Sequence, residues 1–254
     1  MRIALPARAK LNLDLQVIKR RADGFHEIRT HMQSVALHDL LEASPAEHTT
    51  LVIDGLPVPA NSDNIVLKAL AALEAAAGRE LPTQFHLLKR IPPGAGLGGA
   101  SSDAAAALRA AKTIHAVNMD LAKIAPEIGA DVTFFLAGGR ALAEGTGEHL
   151  TRQPTEPTEP AWFAIAWPGI ELSTAGVYGA WDETRGQPPN ALRRAAERAD
   201  SRIKEFGDML GGEWQMTGSG SAFFKCCTTQ ADGLEAVVSL DCWTTVTHSV
   251  GAWA

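Results

Sequence analysis

Several groups of residues in this 254-residue chain have types and spacings that could do chemistry. Residues 90–107, "RIPPGAGLGGASSDAAAA", place Gly94, Gly96 and Gly99 at G-x-G-x-x-G spacing and follow them with Ser101 and Ser102. Glycines let a backbone approach an anion closely, and the N–H groups that open a helix favour negative charge. Lys10 and Asn12 stand two apart in an alternating segment, so a strand would put an ammonium and an amide on one face. Phe25 and His26 follow an Asp23-Gly24 turn signal and set an apolar ring beside a titratable one. Asp131 sits just beyond a predicted helix end at Gly129, where its carboxylate could accept a proton or a hydrogen bond.

The loop admits three readings. A dinucleotide site needs a βαβ unit with an acidic residue about 20 positions on. Asp120 is near that distance but begins a helical run, and Pro92 and Pro93 interrupt the step from strand to loop. A Walker A loop ends in Gly-Lys-Ser/Thr, whereas Gly98-Gly99 here leads to Ala100-Ser101-Ser102 without the lysine. The third reading is a loop that only permits close packing. Two hydroxyls at a helix opening suit a triphosphate better.

Each of the other residues also has a bland reading. The polar face of an amphipathic strand usually meets water, which would leave Lys10 and Asn12 without a task. Asp131 could be a helix N-cap, Phe25 a core residue and His26 a turn residue. Tyr178, the only tyrosine, lies in a helical segment where core packing competes with ligand contact.

The elements that must position these residues follow from periodicity. Residues 11–18, "LNLDLQVI", alternate as a half-buried strand with Leu11, Leu13, Leu15 and Val17 inward, and strand-like segments recur near 27–37 and 49–54. "NSDNIVLKALAALEAAAG" predicts a helix capped by Ser62 or Asp63 and stopped by Gly78, and "TQFHLLKRI" predicts a strand. After the loop, "SSDAAAALRAAKTIHA" predicts a helix capped by Ser101 or Ser102, with Asp103 in its first turn against the macrodipole. "MDLAKIAPEIG" predicts another, ending at Gly129. "RQPTEPTEPAW" carries three prolines in seven residues and marks a connection, so the chain divides into domains 1–153 and 154–254. Beyond it come a strand "WFAIAW", helices near 173–182, 190–198 and 200–210, a turn "TGSGS", a strand "AFFKCC", a helix near 231–239 and a last strand. The fold class is α/β (α+β).

Composition narrows the partners. The net charge is −6 with basic residues scattered, which gives nucleic acid little to hold; a small-molecule ligand is expected. No run approaches the roughly 18 apolar residues of a membrane span, and "MRIALPARAK" has charges and a proline where a signal peptide is apolar. A cytoplasmic protein is expected. The three cysteines, two of them adjacent, form no C-x-x-C and read as reduced thiols.

The motifs, taken in order, carry a resemblance. "PPGAGLGGASSDAA" resembles the second motif of the GHMP kinases. "ARAKLNLDLQVIKRRADGFHE", "IGADVTFFLAGGRALAEGTGE" and "MTGSGSAFF" resemble segments of that superfamily's branch that phosphorylates 4-diphosphocytidyl-2-C-methyl-D-erythritol. The resemblance spans most of the chain. It implies an ATP-dependent kinase of the non-mevalonate route to isoprenoid and terpenoid precursors, using ATP and Mg2+. It also implies a two-domain fold with the active site in the cleft between domains, as a monomer or homodimer without nucleic-acid or membrane partners.

Carried over residue by residue, Lys10 and Asp131 become the catalytic pair. Pro92, Pro93, Gly94, Ala95, Gly96, Leu97, Gly98, Gly99, Ala100, Ser101 and Ser102 become the phosphate loop, one serine being a candidate metal ligand. Asn12 lines the acceptor site, Phe25 stacks on the cytosine, His26 reads its polar edge, and Tyr178 closes the sandwich. Three positions depart from the pattern: Ala100 for a third consecutive glycine, Thr133 for a proline, and Ala191, after Asn190, for an aspartate. A homoserine or mevalonate type of kinase and a non-catalytic nucleotide-binding relative are the alternatives. The "RADGFH" turn argues against the first, because those substrates offer no base to stack, and retention of Lys10 and Asp131 argues against the second.

Overall fold

A computed structural model of the protein describes residues 1–154 and 160–253. Its backbone forms two compact units, each assembled from separate stretches of chain. The first takes Met1–Ala9, Leu37–Pro92 and Gly98–Gly138; the second takes Lys10–Ala36, Pro93–Leu97 and the chain from Gly139 onward. The middle of the expected proline-rich connection, residues 155–159, lies outside the described residues.

Strand β1 covers Ile3–Asn12, β2 Gln16–Arg20 and β3 His26–Pro45. The strand expected over 11–18 is therefore two strands, broken at residues 13–15. There the Leu13 N–H donates to the His31 carbonyl and the Leu15 N–H to that of Pro189, so the backbone turns to other partners. The odd-numbered alternation also runs back to Ile3 across Pro6. That proline is tolerated because, among the described residues, β1 pairs only with β3, and an edge strand can spare an N–H.

In the first unit, β4 (Thr50–Gly55) pairs parallel with β5 (Thr83–Lys89), which pairs antiparallel with the end of β3, Leu40 opposite Leu88. Between β4 and β5 runs α1 (Ile65–Ala77), the crossover a parallel pair requires. Its cap is Asn64 rather than Ser62 or Asp63: the Asn64 side chain accepts from the Val66 N–H at 2.9 Å, and Gly78 ends the helix at φ 66° as expected. Helix α2 (Gly99–Ile114) starts earlier than expected, from Gly98 at φ 72°, with no side-chain cap. Ser101 and Ser102 are consequently inside its first turn, and Asp103, the next residue, is buried beside Lys89 rather than facing the helix dipole. Ala100 lies in the first turn of α2 and not among the positive-φ residues, so its methyl suits the backbone there. Short helices α3 (Ala125–Ile128) and α4 (Val132–Ala137) complete the unit, whose core includes Leu70, Leu73, Phe85, Leu87 and Leu108.

In the second unit, the start of β3 pairs antiparallel with β6 (Arg140–Gly145), which forms a hairpin with β7 (His149–Gln153). Neither of these strands is read from the sequence above. A second sheet joins β8 (Trp162–Trp167) to two strands later in the chain, Trp243–His248 and Phe223–Cys227, and the latter to a short strand, Gln215–Met216. Over it lie α5 (Thr174–Thr184), α6 (Arg193–Ala199) and α7 (Arg202–Leu210); then follow β9 (Gln215–Met216), β10 (Phe223–Cys227), α8 (Gln230–Val237) and β11 (Trp243–His248). Ala164, Val177, Trp181, Leu192, Ile203 and Phe223 pack as its core. Ala191, the third departure, is buried in that same cluster, where an aspartate would lack a solvated place. All three cysteines are free thiols. No helix among the described residues is long and apolar enough to cross a membrane.

Candidate active site

In the second unit, the end of β1 brings Lys10 and Asn12 onto one face, but that face does not meet water. Lys10 is 4% exposed and Asn12 3%. The Lys10 ammonium donates to the Asn12 Oδ1, and the Asn12 Nδ2 donates to the Thr30 hydroxyl at 2.8 Å. The Asn12 backbone N–H donates to the Thr217 hydroxyl at 2.8 Å, and that of Lys10 to the Leu97 carbonyl at 2.9 Å. A buried ammonium oriented by a neutral amide oxygen is a positive charge prepared for an anion.

Two glycine segments close on this pair. A Cβ on Gly218, where φ is +55°, would lie 3.1 Å from the Lys10 Nζ, 3.1 Å from the Asn12 Oδ1 and 3.0 Å from the Gly96 carbonyl oxygen. A Cβ on Gly96, where φ is +77°, would lie 2.5 Å from the Thr217 carbonyl oxygen. The Ala222 N–H donates to the Ala95 carbonyl, and the Asn190 Nδ2 donates to the carbonyls of Met216 and Gly218 at 2.7 and 2.9 Å. Gly94–Leu97 and the "TGSGS" turn thus lock together beside Lys10. Asn190 was not singled out as a site residue by sequence; only an amide could donate to two carbonyls while its oxygen accepts the Leu192 N–H.

The turn before β3 forms as expected, with Gly24 at φ +88° and the Phe25 N–H donating to the Asp23 Oδ1. Phe25 is 64% exposed. The His26 ring is buried, stacked on Tyr178 with centroids 5.2 Å apart and meeting the Trp181 ring edge-on. Its Nε2 lies 2.9 Å from the Asp182 Oδ1, and Arg20 pairs with the same carboxylate at 3.2 Å. Sequence reading missed Asp182, although it falls four residues after Tyr178 and so shares a helix face with it.

Asp182 titrates below the ordinary aspartate value of 3.8, chiefly because its carboxylate takes the hydrogen bond to His26; burial opposes this, and the charges of His26, Arg20 and Arg185 add to it. A depressed folded-state pKa means the unfolded chain holds the proton more tightly. The contribution is therefore present above the ordinary value and is lost as pH falls through the folded one. Urea midpoints of the protein and of Asp182→Asn should converge as pH is lowered from about 6 to about 3. A constant gap across that range would remove the carboxylate from the account.

In the first unit, Asp131 occupies the position before α4 with φ −74° and ψ −14°, and its side chain makes no capping hydrogen bond. The bland capping reading does not hold for this residue. A Cβ on Gly129 would lie 3.9 Å from the Ser101 Oγ, so the first turn of α2 abuts the segment that carries Asp131. Thr133, in the first turn of α4, has a buried hydroxyl with no hydrogen-bond partner, a cost that proline at this position would not incur. Pro92 and Gly98–Ser102 belong to this unit, and Pro93–Leu97 to the other.

The protein has relatives. A family model for the GHMP kinases N terminal domain matches residues 64–139. A 4-diphosphocytidyl-2-C-methyl-D-erythritol kinase of Halorhodospira halophila is 35% identical, across 98% of this chain and 90% of its own. One of Marinobacter nauticus is 39% identical, across 80% of this chain and 72% of its own. A crystal structure of 4-(cytidine 5'-diphospho)-2C-methyl-D-erythritol kinase superposes with a TM-score of 0.81 and 32% identity, covering 98% of this chain and 99% of that one.

Proposed function

The chain belongs to the 4-diphosphocytidyl-2-C-methyl-D-erythritol kinase family of the GHMP kinases, and from that membership we propose how its own residues carry out phosphoryl transfer. It is an ATP-dependent small-molecule kinase of isoprenoid precursor biosynthesis. The γ-phosphoryl group of ATP passes to the tertiary 2-hydroxyl of the cytidyl-linked methylerythritol, in the cytoplasm. The observation that carries the reading is the burial of Lys10 and Asn12 against Thr217 and Gly218.

Phosphoryl transfer asks little covalent work of the protein. The nucleophile and phosphorus must be held in line, and charge spread over the transferring oxygens must be stabilised. Within the loop, residues 94–101 supply backbone N–H groups, among them those that open α2 and have no partner within the helix. Lys10, oriented by Asn12, adds a fixed positive charge. Asp131 orients the acceptor hydroxyl and accepts its proton late in the transfer. Phe25, His26 and Tyr178 take the cytosine. His26 is braced by Asp182 in that task, and the exposure of Phe25 leaves its ring available to a base.

Mg2+ takes hard oxygen ligands, keeps several waters, and is commonly held by one or two protein groups plus substrate phosphates. The Ser101 hydroxyl, in the first turn of α2, fits as one such protein group; among the described residues, no three metal-ligating side chains cluster. When bound, the ion would neutralise charge on the β- and γ-phosphates.

The test is phosphorylation assayed with ATP and, in turn, the cytidyl substrate, homoserine and mevalonate. Turnover of the cytidyl substrate alone is expected. Turnover of either other acceptor at a comparable rate would overturn the assignment, and ATP binding without turnover of any would point to a regulatory relative.

A further inference from the structure

Beneath the loop, the first unit buries three charged side chains that the phosphoryl-transfer scheme leaves unused. Asp39 on β3, Lys89 at the end of β5 and Asp103 on α2 have side chains 0%, 3% and 3% exposed. The Lys89 ammonium donates to the Asp39 Oδ2, and also to the Asp103 Oδ2 at 2.9 Å. The other Asp39 oxygen accepts the backbone N–H groups of Arg90 and Ile91. The second Asp103 oxygen is buried with no hydrogen-bond partner.

Such a group is a poor way to gain stability. Removing ions from water costs several kcal/mol each, and well-packed apolar replacements are often neutral or stabilising. Burial, and then the Asp39 carboxylate, push Asp103 well above the ordinary aspartate range, while the two carboxylates hold Lys89 up against its own burial. What the group does achieve is geometric. The chain enters the glycine loop through Arg90 and Ile91, whose N–H groups Asp39 holds, and leaves it through Gly98 and α2, which Asp103 ties to the same ammonium. The fit at the exit is close: a Cβ on Gly99 would lie 2.9 Å from the Lys89 Nζ and 2.8 Å from the Ile91 Cγ2.

We propose that Asp39, Lys89 and Asp103 are positioning residues for ATP: one ammonium ties the entry and exit of the loop, so its N–H groups are presented to the triphosphate already oriented. The inference rests on residues 92–102 being the phosphate loop. Preorganised donors bind without an ordering cost, so loosening either end weakens ATP and leaves the other substrate alone.

The test compares the protein with Asp103→Asn, which keeps the size and removes the charge, and with the apolar double variant Lys89→Met/Asp103→Leu. Direct ATP binding, KM for ATP, KM for the cytidyl substrate and thermal midpoint are measured for each. A folded double variant is expected to bind ATP at least about tenfold more weakly, with KM for the cytidyl substrate within about twofold. ATP affinity within twofold of the parent in that variant overturns the proposal, as does an equal rise in both KM values. If the double variant does not fold, Asp103→Asn decides: about threefold or more weakening of ATP alone supports the tie, and unchanged ATP affinity overturns it. Failure of the unmodified protein to bind ATP would instead remove the phosphate-loop reading.

Discussion

Asp131→Asn is expected to lower kcat by at least about a hundredfold, near 2.7 kcal/mol of barrier, while KM for ATP stays within about twofold. Asparagine keeps the shape of the side chain and loses its charge and basicity. An acceptor alcohol is a weak acid, and in a loose transition state its proton leaves late. The carboxylate therefore acts by aligning the hydroxyl and by accepting the proton as the new bond forms, both of which belong to the transition state. Interactions made there alone appear in kcat rather than in ATP binding. The Asp131 side chain makes no capping hydrogen bond to α4, so its replacement loses no cap. Steady-state kinetics with both substrates varied checks this. A variant within about tenfold of the parent, only about 1.4 kcal/mol, would sink either role.

Gly96→Ala is expected to cost about 2–5 kcal/mol of stability, from left-handed backbone strain and overpacking together, and to weaken ATP by more than about tenfold. The added Cβ would stand 2.5 Å from the Thr217 carbonyl oxygen and 2.9 Å from that of Gly220. Both are backbone atoms, and the Thr217 N–H and carbonyl already bond within the turn, to Ala222 and Gly220, so neither segment can yield cheaply. Gly78→Ala separates the two causes. Gly78 also has positive φ, +66°, but a Cβ there meets nothing within 4 Å. It should lose about 1 kcal/mol, with ATP affinity unchanged. Chemical denaturation and nucleotide binding on both variants check the pair. Equal losses at Gly96 and Gly78 would mean that close approach of the two glycine segments contributes nothing.

The legible part of this protein is local. Gly78 as a helix stop, the Asp23-Gly24 turn, helix α2 after the loop and strands β5, β8 and β10 follow from propensity and spacing over a few residues. The β6–β7 hairpin went unread although Ala141 and Ala143 alternate ahead of a glycine turn, and the cap of α1 fell at Asn64 because a cap needs extended backbone as well as the right side chain. The order of Lys-x-Asn pair, turn, glycine loop and Asp131 segment was also present in sequence, and it pointed to the family to which the chain belongs.

Sequence alone thus determined the chemistry available: a loop of glycines and hydroxyls, a lysine, an aspartate and a base-sized aromatic set. Tertiary structure decided what each of these meets. Period-two alternation says that Lys10 and Asn12 share a face, but not that Gly218 and Thr217, some 205 residues on from Asn12, would cover it. Asp182 reaches His26 across 156 positions, and Lys89 reaches Asp39 across 50. The reason is physical: periodicity reports the direction of a side chain from its own backbone, whereas burial, ion pairing and close backbone approach depend on which distant segment arrives there. Ser101 and Asp103 show the same limit within one helix, where a start at Gly99 turned an expected cap into a first-turn residue and a charge expected against the macrodipole into one buried beside Lys89.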